Sequence, residues 1–197
     1  MISTLTNRQN QILETTIELI HTSGIQGFTI KNLSHSMGFS EAAIYRHFSS
    51  KHDILSAVLD RFIKSLTVST NEIINTKANS IYKIEKIFTQ LSKLFMTKPA
   101  YVSVIFAEEI FKNNKSLSLK VGKILEINND TFLTIIKEGQ KKNEIIDNID
   151  SQDLTLMIMG AYRLMVKHWK MDDLSFNLIK KSNTLIKSIE TVIVKKI

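Results

Sequence analysis

The stretch TIKNLSHSMGFSEAAIYRHFSSKHD, residues 29–53, decides the fold. Thr29 is placed to cap a helix whose apolar positions Ile30, Leu33 and Met37 fall three and four residues apart, so that one face turns inward. Gly38 ends that helix at the position where a left-handed backbone costs least, and Phe39 after it supplies an apolar contact that fixes the angle to the next helix. Ser40 then caps a second helix in which Ala43, Ile44 and Phe48 face inward, leaving Glu41, Ala42, Tyr45, Arg46 and His47 to a partner. Ser50 and Asp53 resemble a capping box, which sets Lys51 in the first turn of a third helix. Two short helices joined by a glycine turn are a helix-turn-helix, and its leading partner is DNA. Tyr45, His47 and Lys51 offer donors to phosphates, Lys51 with the added pull of a helix N-terminus, while the small Ala42 and Ala43 allow close approach to base edges.

From Phe28-Thr29-Ile30 to Ile44-Tyr45-Arg46-His47-Phe48-Ser49-Ser50-Lys51 the segment resembles the DNA-binding motif of the TetR family of bacterial transcriptional regulators, and the likeness runs from residue 8 to residue 63. The resemblance implies that Thr29, Tyr45, His47 and Lys51 contact the DNA backbone, and that Lys31, Glu41, Ala42, Ala43 and Arg46 stand where the family reads bases. Ser34 replaces a frequent alanine and Ala42 a frequent glycine; neither breaks a helix. Glu41 is the unusual choice. A carboxylate is repelled by phosphate unless it accepts from a cytosine amino group or serves the helix end, and both roles stay open.

Outward from the motif, Ile12, Leu13, Ile17, Leu19 and Ile20 predict a first helix over 8–23 that stops near Gly24. The helix opened by Lys51 continues through Ile54, Leu55, Val58, Leu59, Phe62, Ile63 and Leu66, and the Thr-, Ser- and Asn-rich residues 67–80 read as its fraying end and a loop. Further helices are expected at 80–97, 99–112, 116–142, 151–170 and 175–195, with Pro99 suited to a helix start. One proline and six glycines in 197 residues suit an all-α chain, and 43% hydrophobic residues supply its core. The expected architecture is a three-helix helix-turn-helix domain over 1–66 followed by a larger helical effector-binding and dimerisation domain over 67–197.

The net charge of +7 does not mark a broad nucleic-acid surface. Residues 1–70 hold Arg8, Lys31, Arg46, Lys51, Arg61 and Lys64 against Glu14, Glu18, Glu41, Asp53 and Asp60, a balance of one positive charge; the rest lies on scattered C-terminal lysines. DNA affinity then rests on placed contacts and on pairing of two copies. For that pairing the expected surface is the last two helices, one carrying Leu154, Met157, Ile158, Ala161, Leu164, Met165 and Trp169, the other Leu178, Ile179, Leu185, Ile186, Ile189, Val192 and Ile193. A homodimer sets two recognition helices about 34 Å apart and reads a palindromic operator in double-stranded DNA.

The family's central helices enclose a small-molecule effector, and by that resemblance Phe88, Phe95, Tyr101, Phe106, Phe132, Tyr162 and Trp169 become candidates for an apolar lining; an apolar or amphipathic ligand of unread identity would suit them. Aromatics at helical spacing also make plain core, and the sequence leaves that open. Catalysis is not indicated. None of the five histidines pairs at helical metal-ligand spacing, there is no cysteine and no phosphate-binding glycine loop, and the adjacent Glu108 and Glu109 diverge by about 100° on a helix. No metal or cofactor is expected. Without a long apolar run or a signal-like N-terminus, the expected location is the cytoplasm, away from the membrane. The expected function is a ligand-released repressor; an architectural, nucleoid-associated DNA binder without a ligand switch is the alternative.

Overall fold

The computed structural model describes residues 5–107, 111 and 114–195. Among these the chain is helical, with a single isolated antiparallel bridge between Ile145 and Val194. The helices are α1 (Asn7–Gly27), α2 (Ile30–Met37), α3 (Glu41–Tyr45), α4 (Lys51–Ile74), α5 (Ser80–Thr97), α6 (Ala100–Ile105), α7 (Lys115–Lys141), α8 (Ser151–Met171) and α9 (Leu178–Ile193). The chain folds as two compact units, residues 1–64 with 98–122, and residues 65–97 with 123–197.

The first unit is built around α1. Thr6 caps it reciprocally with Gln9, satisfying two of the donors that a helix start leaves orphaned. Ile12, Leu13, Ile17 and Ile20 are buried on one stripe of α1, and Leu33, Ile44, Leu55, Val58, Leu59 and Phe62 of the same unit are buried as well. Gly24 interrupts α1 with φ 70° and ψ 172°, where the sequence places the helix end; the next turn still bonds helically as far as Gly27. α6 packs on α1 within the same unit. α6 ends at Ile105, short of the helix expected over 99–112, because the chain turns at Phe106; residues 108–110 and 112–113, and with them Glu108 and Glu109, lie outside the described residues.

In the second unit α5 packs on α9, and an aromatic cluster occupies the interior: Phe88 stacks on Tyr162 with ring centroids 4.2 Å apart and meets Phe132 at 5.4 Å. Lys83, only 1% exposed, enters this unit without an orphan charge, because its Nζ donates to Glu138 Oε2 at 2.9 Å. Near it the side chains of Ser80 and Ile145 pack onto Gly139 so closely that a Cβ there would stand 2.7 Å from Ser80 Oγ and from Ile145 Cδ1. Glu144 completes the corner by accepting from the Ser80 backbone N–H at 2.7 Å, which caps α5.

The loop expected over 67–80 is corrected by α4, which continues to Ile74. Leu66, Thr70 and Ile73 are buried at helical spacing, so packing outweighs the weak helix preference of the polar residues between them. The Thr70 hydroxyl donates back to the Leu66 carbonyl at 2.9 Å instead of opening the helix.

Candidate nucleic-acid interface

Each helix of the motif begins on the side chain the sequence offers for it. Thr29 Oγ1 accepts from Asn32 N at 3.0 Å, Ser40 Oγ from Ala43 N at 3.2 Å, and Ser50 Oγ from Asp53 N at 3.1 Å. In each case the cap uses a lone pair, and for the exposed Thr29 the hydroxyl proton stays free to donate to a phosphate. Gly38, at φ 66°, turns its N–H to the His35 carbonyl at 3.1 Å, and Phe39 N reaches Ser34 O at 2.8 Å, the double closure that ends a helix sharply.

The second motif helix is shorter than the sequence suggests. α3 ends at Tyr45, and residues 46–48 form a turn in which His47 N and Phe48 N bond to the Ile44 carbonyl at 2.9 and 3.2 Å. The chain has to bury Phe48, 8% exposed, and then turn into the Ser50 cap, which leaves no room for another straight turn of helix.

On this frame Thr29, Lys31, Glu41, Ala42, Tyr45 and Arg46 are exposed, whereas Ala43 and His47 are half-buried. Ile44 is fully buried and anchors the helix from behind. Tyr45 presents its phenol with 49% of the residue accessible. Lys51 Nζ lies 5.3 Å from the centroid of the buried Phe28 ring, and burial pushes its pKa below the ordinary lysine value. The ammonium is thereby held at the first turn of α4, beside backbone N–H groups with no helical partner. The surface combines donors for phosphates with a short helix whose small Ala42 lets it approach base edges.

Two supporting residues escape a reading focused on exposed positions. Arg8 lies 4.7 Å from the Phe39 ring centroid, and Gln9 Nε2 donates to the His47 carbonyl at 3.3 Å, so α1 fixes both the turn and the end of the recognition segment. The Thr6 and Gln9 capping pattern is the signal in the sequence that comes nearest to finding them.

The seven aromatic candidates for an effector lining are divided between the two units. Phe88, Phe132 and Tyr162 touch; Phe95 and Trp169 are buried in the same unit. Tyr101 and Phe106 belong to the first unit, where Tyr101 packs on Phe62 at 5.0 Å and accepts from Arg61 Nε at 3.4 Å. The Tyr162 hydroxyl is 3.0 Å from Ser92 Oγ, and burial pushes its pKa well above the ordinary phenol value. In the second unit an open groove of about 570 Å³ is bordered by Tyr82, Glu85, Lys187 and Glu190, and a smaller cleft separates α4 from α5.

The broad apolar stripes of the last two helices resolve into an inner and an outer half. Leu154, Ile158 and Trp169 are buried within the unit, while Leu156, Met157, Leu164 and Met171 on α8 and Val192 on α9 stand exposed. A Cβ on Gly160, in the exposed line, would meet nothing within 4 Å. Met157, Leu164 and Met171 stand seven residues apart and so share one line of α8. No helix among the described residues is long and apolar enough to cross a membrane.

Comparison with known proteins agrees with this geometry. A family model described as bacterial regulatory proteins of the tetR family matches residues 12–58, and one described as the C-terminal region of YsiA-like proteins matches residues 55–193. The fatty acid metabolism regulator protein of Bacillus subtilis is 23% identical over 176 residues, 89% of this chain and 90% of that protein. The nucleoid occlusion factor SlmA of Aliivibrio fischeri is 24% identical over 155 residues, 78% of this chain and 79% of its own. Among solved structures, the transcriptional regulator FadR from Bacillus subtilis in complex with stearoyl-CoA superposes with a TM-score of 0.77 at 23% identity, covering 91% of this chain and 96% of that one. The matches are thus to regulatory proteins and nucleoid factors.

Proposed function

The chain belongs to the tetR family of bacterial regulatory proteins, a DNA-binding transcriptional regulator, and from that premise we propose that it is a homodimeric repressor released from a palindromic operator by a long-chain acyl-coenzyme A thioester. The observation that carries the DNA-binding half is the rigid, triply capped motif with Tyr45, Arg46 and Lys31 exposed on it. Thr29, Tyr45, His47 and Lys51 hold the backbone in this reading, and Lys31, Glu41, Ala42 and Arg46 read bases; Ala43, half-buried, has the least access of the set. Residues 1–66 contact DNA and 67–197 serve effector binding and pairing, with the outer face of α8 as the contact between copies. The effector class is supported by the Bacillus subtilis relative, a fatty acid metabolism regulator whose structure holds stearoyl-CoA.

The resemblance to SlmA favours a second reading, a nucleoid-associated binder without a ligand switch. Selection of bound fragments from a random DNA pool, followed by titration of the enriched complex with stearoyl-CoA, separates the two. An enriched palindrome that stearoyl-CoA releases is the expected result. A palindrome that no acyl thioester releases favours the nucleoid reading, and retention without any motif refutes sequence-specific regulation.

A further inference from the structure

Glu41 opens the recognition helix α3 with a negative charge on the surface that meets DNA. An acidic residue there can serve the helix end or accept from a base. The cap is already supplied. Ala43 N bonds to Ser40 Oγ at 3.2 Å and to the Ser40 carbonyl at 3.0 Å. The reciprocal arm of a capping box would have to come from position 43, an alanine with no polar side-chain group. Glu41 is exposed, and among the described residues its carboxylate has no hydrogen-bond or ion-pair partner, Lys31 and Arg46 included. The turn of about 100° per residue points Ala42 directly away from the buried Ile44. Ala42 carries only a methyl group, so the longer side chains of Glu41 and Arg46 on either side of it reach past it. A recognition helix enters the major groove with its N-terminal residues against the base edges, and Glu41 is the first residue of α3.

We infer that Glu41 selects a cytosine in each half of the operator. The inference rests on the operator reading above and deepens it by naming a base. An ionised carboxylate accepts hydrogen bonds and donates none. In the major groove guanine shows the acceptors N7 and O6, and thymine shows O4 and a methyl group, so neither offers Glu41 a donor. Adenine offers its N6 amino group but sets the N7 lone pair beside it, which repels the second carboxylate oxygen. Cytosine offers its N4 amino group with only a C–H beside it. Cytosine is therefore the base edge that gains most from Glu41, and elsewhere the negative charge meets acceptors and phosphates. Glu41 thus widens the gap between operator and unrelated DNA from both sides, by attraction at one base and by repulsion along the rest.

The test compares the full-length chain with Glu41→Gln and Glu41→Ala in selection of bound fragments from a random DNA pool, with thermal melting of each protein alongside. The parent is expected to enrich cytosine at one position of each half-site, and replacing that base in a synthetic operator to weaken its binding about tenfold. A glutamine amide both donates and accepts, which suits adenine N6 and N7, so Glu41→Gln should exchange that cytosine for adenine and change no other position. Glu41→Ala should leave the position degenerate and bind random DNA more tightly than the parent does. Both variants should melt with the parent. A cytosine-to-adenine exchange in a motif without two-fold symmetry supports the role of Glu41 while refuting the palindrome. One motif common to all three proteins overturns the inference and leaves the operator reading in place. A uniform loss of affinity with a lower melting temperature and unchanged base preference also overturns it, because it assigns Glu41 to the helix end. If the parent enriches no motif, the operator reading falls, and the base-reading role of Glu41 with it.

Discussion

Leu164→Ala is expected to weaken pairing of two copies without unfolding either. Leu164 is 54% exposed in the single chain, and Leu156, Met157 and Met171 are exposed by 71, 56 and 68%. Met157, Leu164 and Met171 recur every seven residues, which keeps them on one line along α8, and Gly160 leaves a gap in that line for a facing helix. Complete burial of a leucine side chain contributes about 1.5–3 kcal/mol, so covering the exposed half of Leu164 contributes ~1–1.5 kcal/mol. A two-fold interface contains the residue twice. The substitution therefore costs roughly 2–3 kcal/mol of association, a rise in the dimer Kd of roughly 30- to 150-fold.

Sedimentation equilibrium over a range of protein concentrations measures that change directly. Leu119→Ala is the control, since Leu119 is 64% exposed but sits on α7 in the other compact unit. Because Leu164 faces away from its own unit's core, thermal stability extrapolated to the monomer should hardly move, in contrast to about 2–5 kcal/mol for truncating the fully buried Leu154. An unchanged Kd for Leu164→Ala, or an equal shift for Leu119→Ala, would refute the assignment of this face.

At the DNA surface, Lys51→Ala and Tyr45→Phe should weaken binding to every sequence, Lys51→Ala with a salt slope shallower by about one, whereas Arg46→Ala and Lys31→Ala should also relax preference at particular base pairs; competition assays against mismatched operators over a salt series tell the two classes apart. Gly38→Ala adds a methyl where nothing lies within 4 Å but where φ is 66°, so denaturant unfolding should show a loss of about 1 kcal/mol from backbone strain alone. Hydrogen bonds from Lys142 and Lys83 hold the Glu138 carboxyl below its ordinary pKa. The stability this contributes is fully present above the unfolded carboxylate pKa of about 4.3 and is lost as pH falls through the lower folded value. Glu138→Gln should therefore melt lower at pH 7, where Lys83 stays buried without its counter-charge, yet lose less on acidification to pH ~3.5 than the parent chain does.

The motif was legible because its cues are local. Thr29, Gly38, Ser40 and Ser50 each act on backbone groups within three or four residues, so their effect does not depend on what packs elsewhere. The far end of α4 was hidden for the opposite reason. Its Ser, Thr and Asn residues read locally as a loop, and only burial of Thr70 and Ile73 against the rest of the second unit keeps them helical. The aromatic candidates show the limit of periodicity, which says that Phe88, Phe132 and Tyr162 turn inward but not that they meet one another.

Glu14 shows how the first unit holds its DNA-facing motif in one orientation. Its Oε1 forms an ion pair with Arg61 Nη2 of α4 at 2.8 Å and its Oε2 accepts from Lys98 Nζ, ahead of α6, at 2.9 Å; Arg61 also donates to Tyr101 of α6 through Nε. Burial pushes the Glu14 carboxyl up, but the Lys98 hydrogen bond and the neighbouring Arg61 charge outweigh it and leave the pKa below the ordinary value. These pairs are partly exposed and each contributes only tenths of a kcal/mol, so they do not fold the unit. Ile12, Leu13 and Ile17 on the buried stripe of α1 do that. What the ion pairs add is direction, because apolar contact tolerates sliding and a carboxylate shared between two cations does not. α1 is thus registered against α4 and α6 at Glu14, and it passes that register on through Arg8 to Phe39 and through Gln9 to the His47 carbonyl. A displacement of α6 would reach the recognition turn along this line without deforming the motif, whose caps are all internal to it.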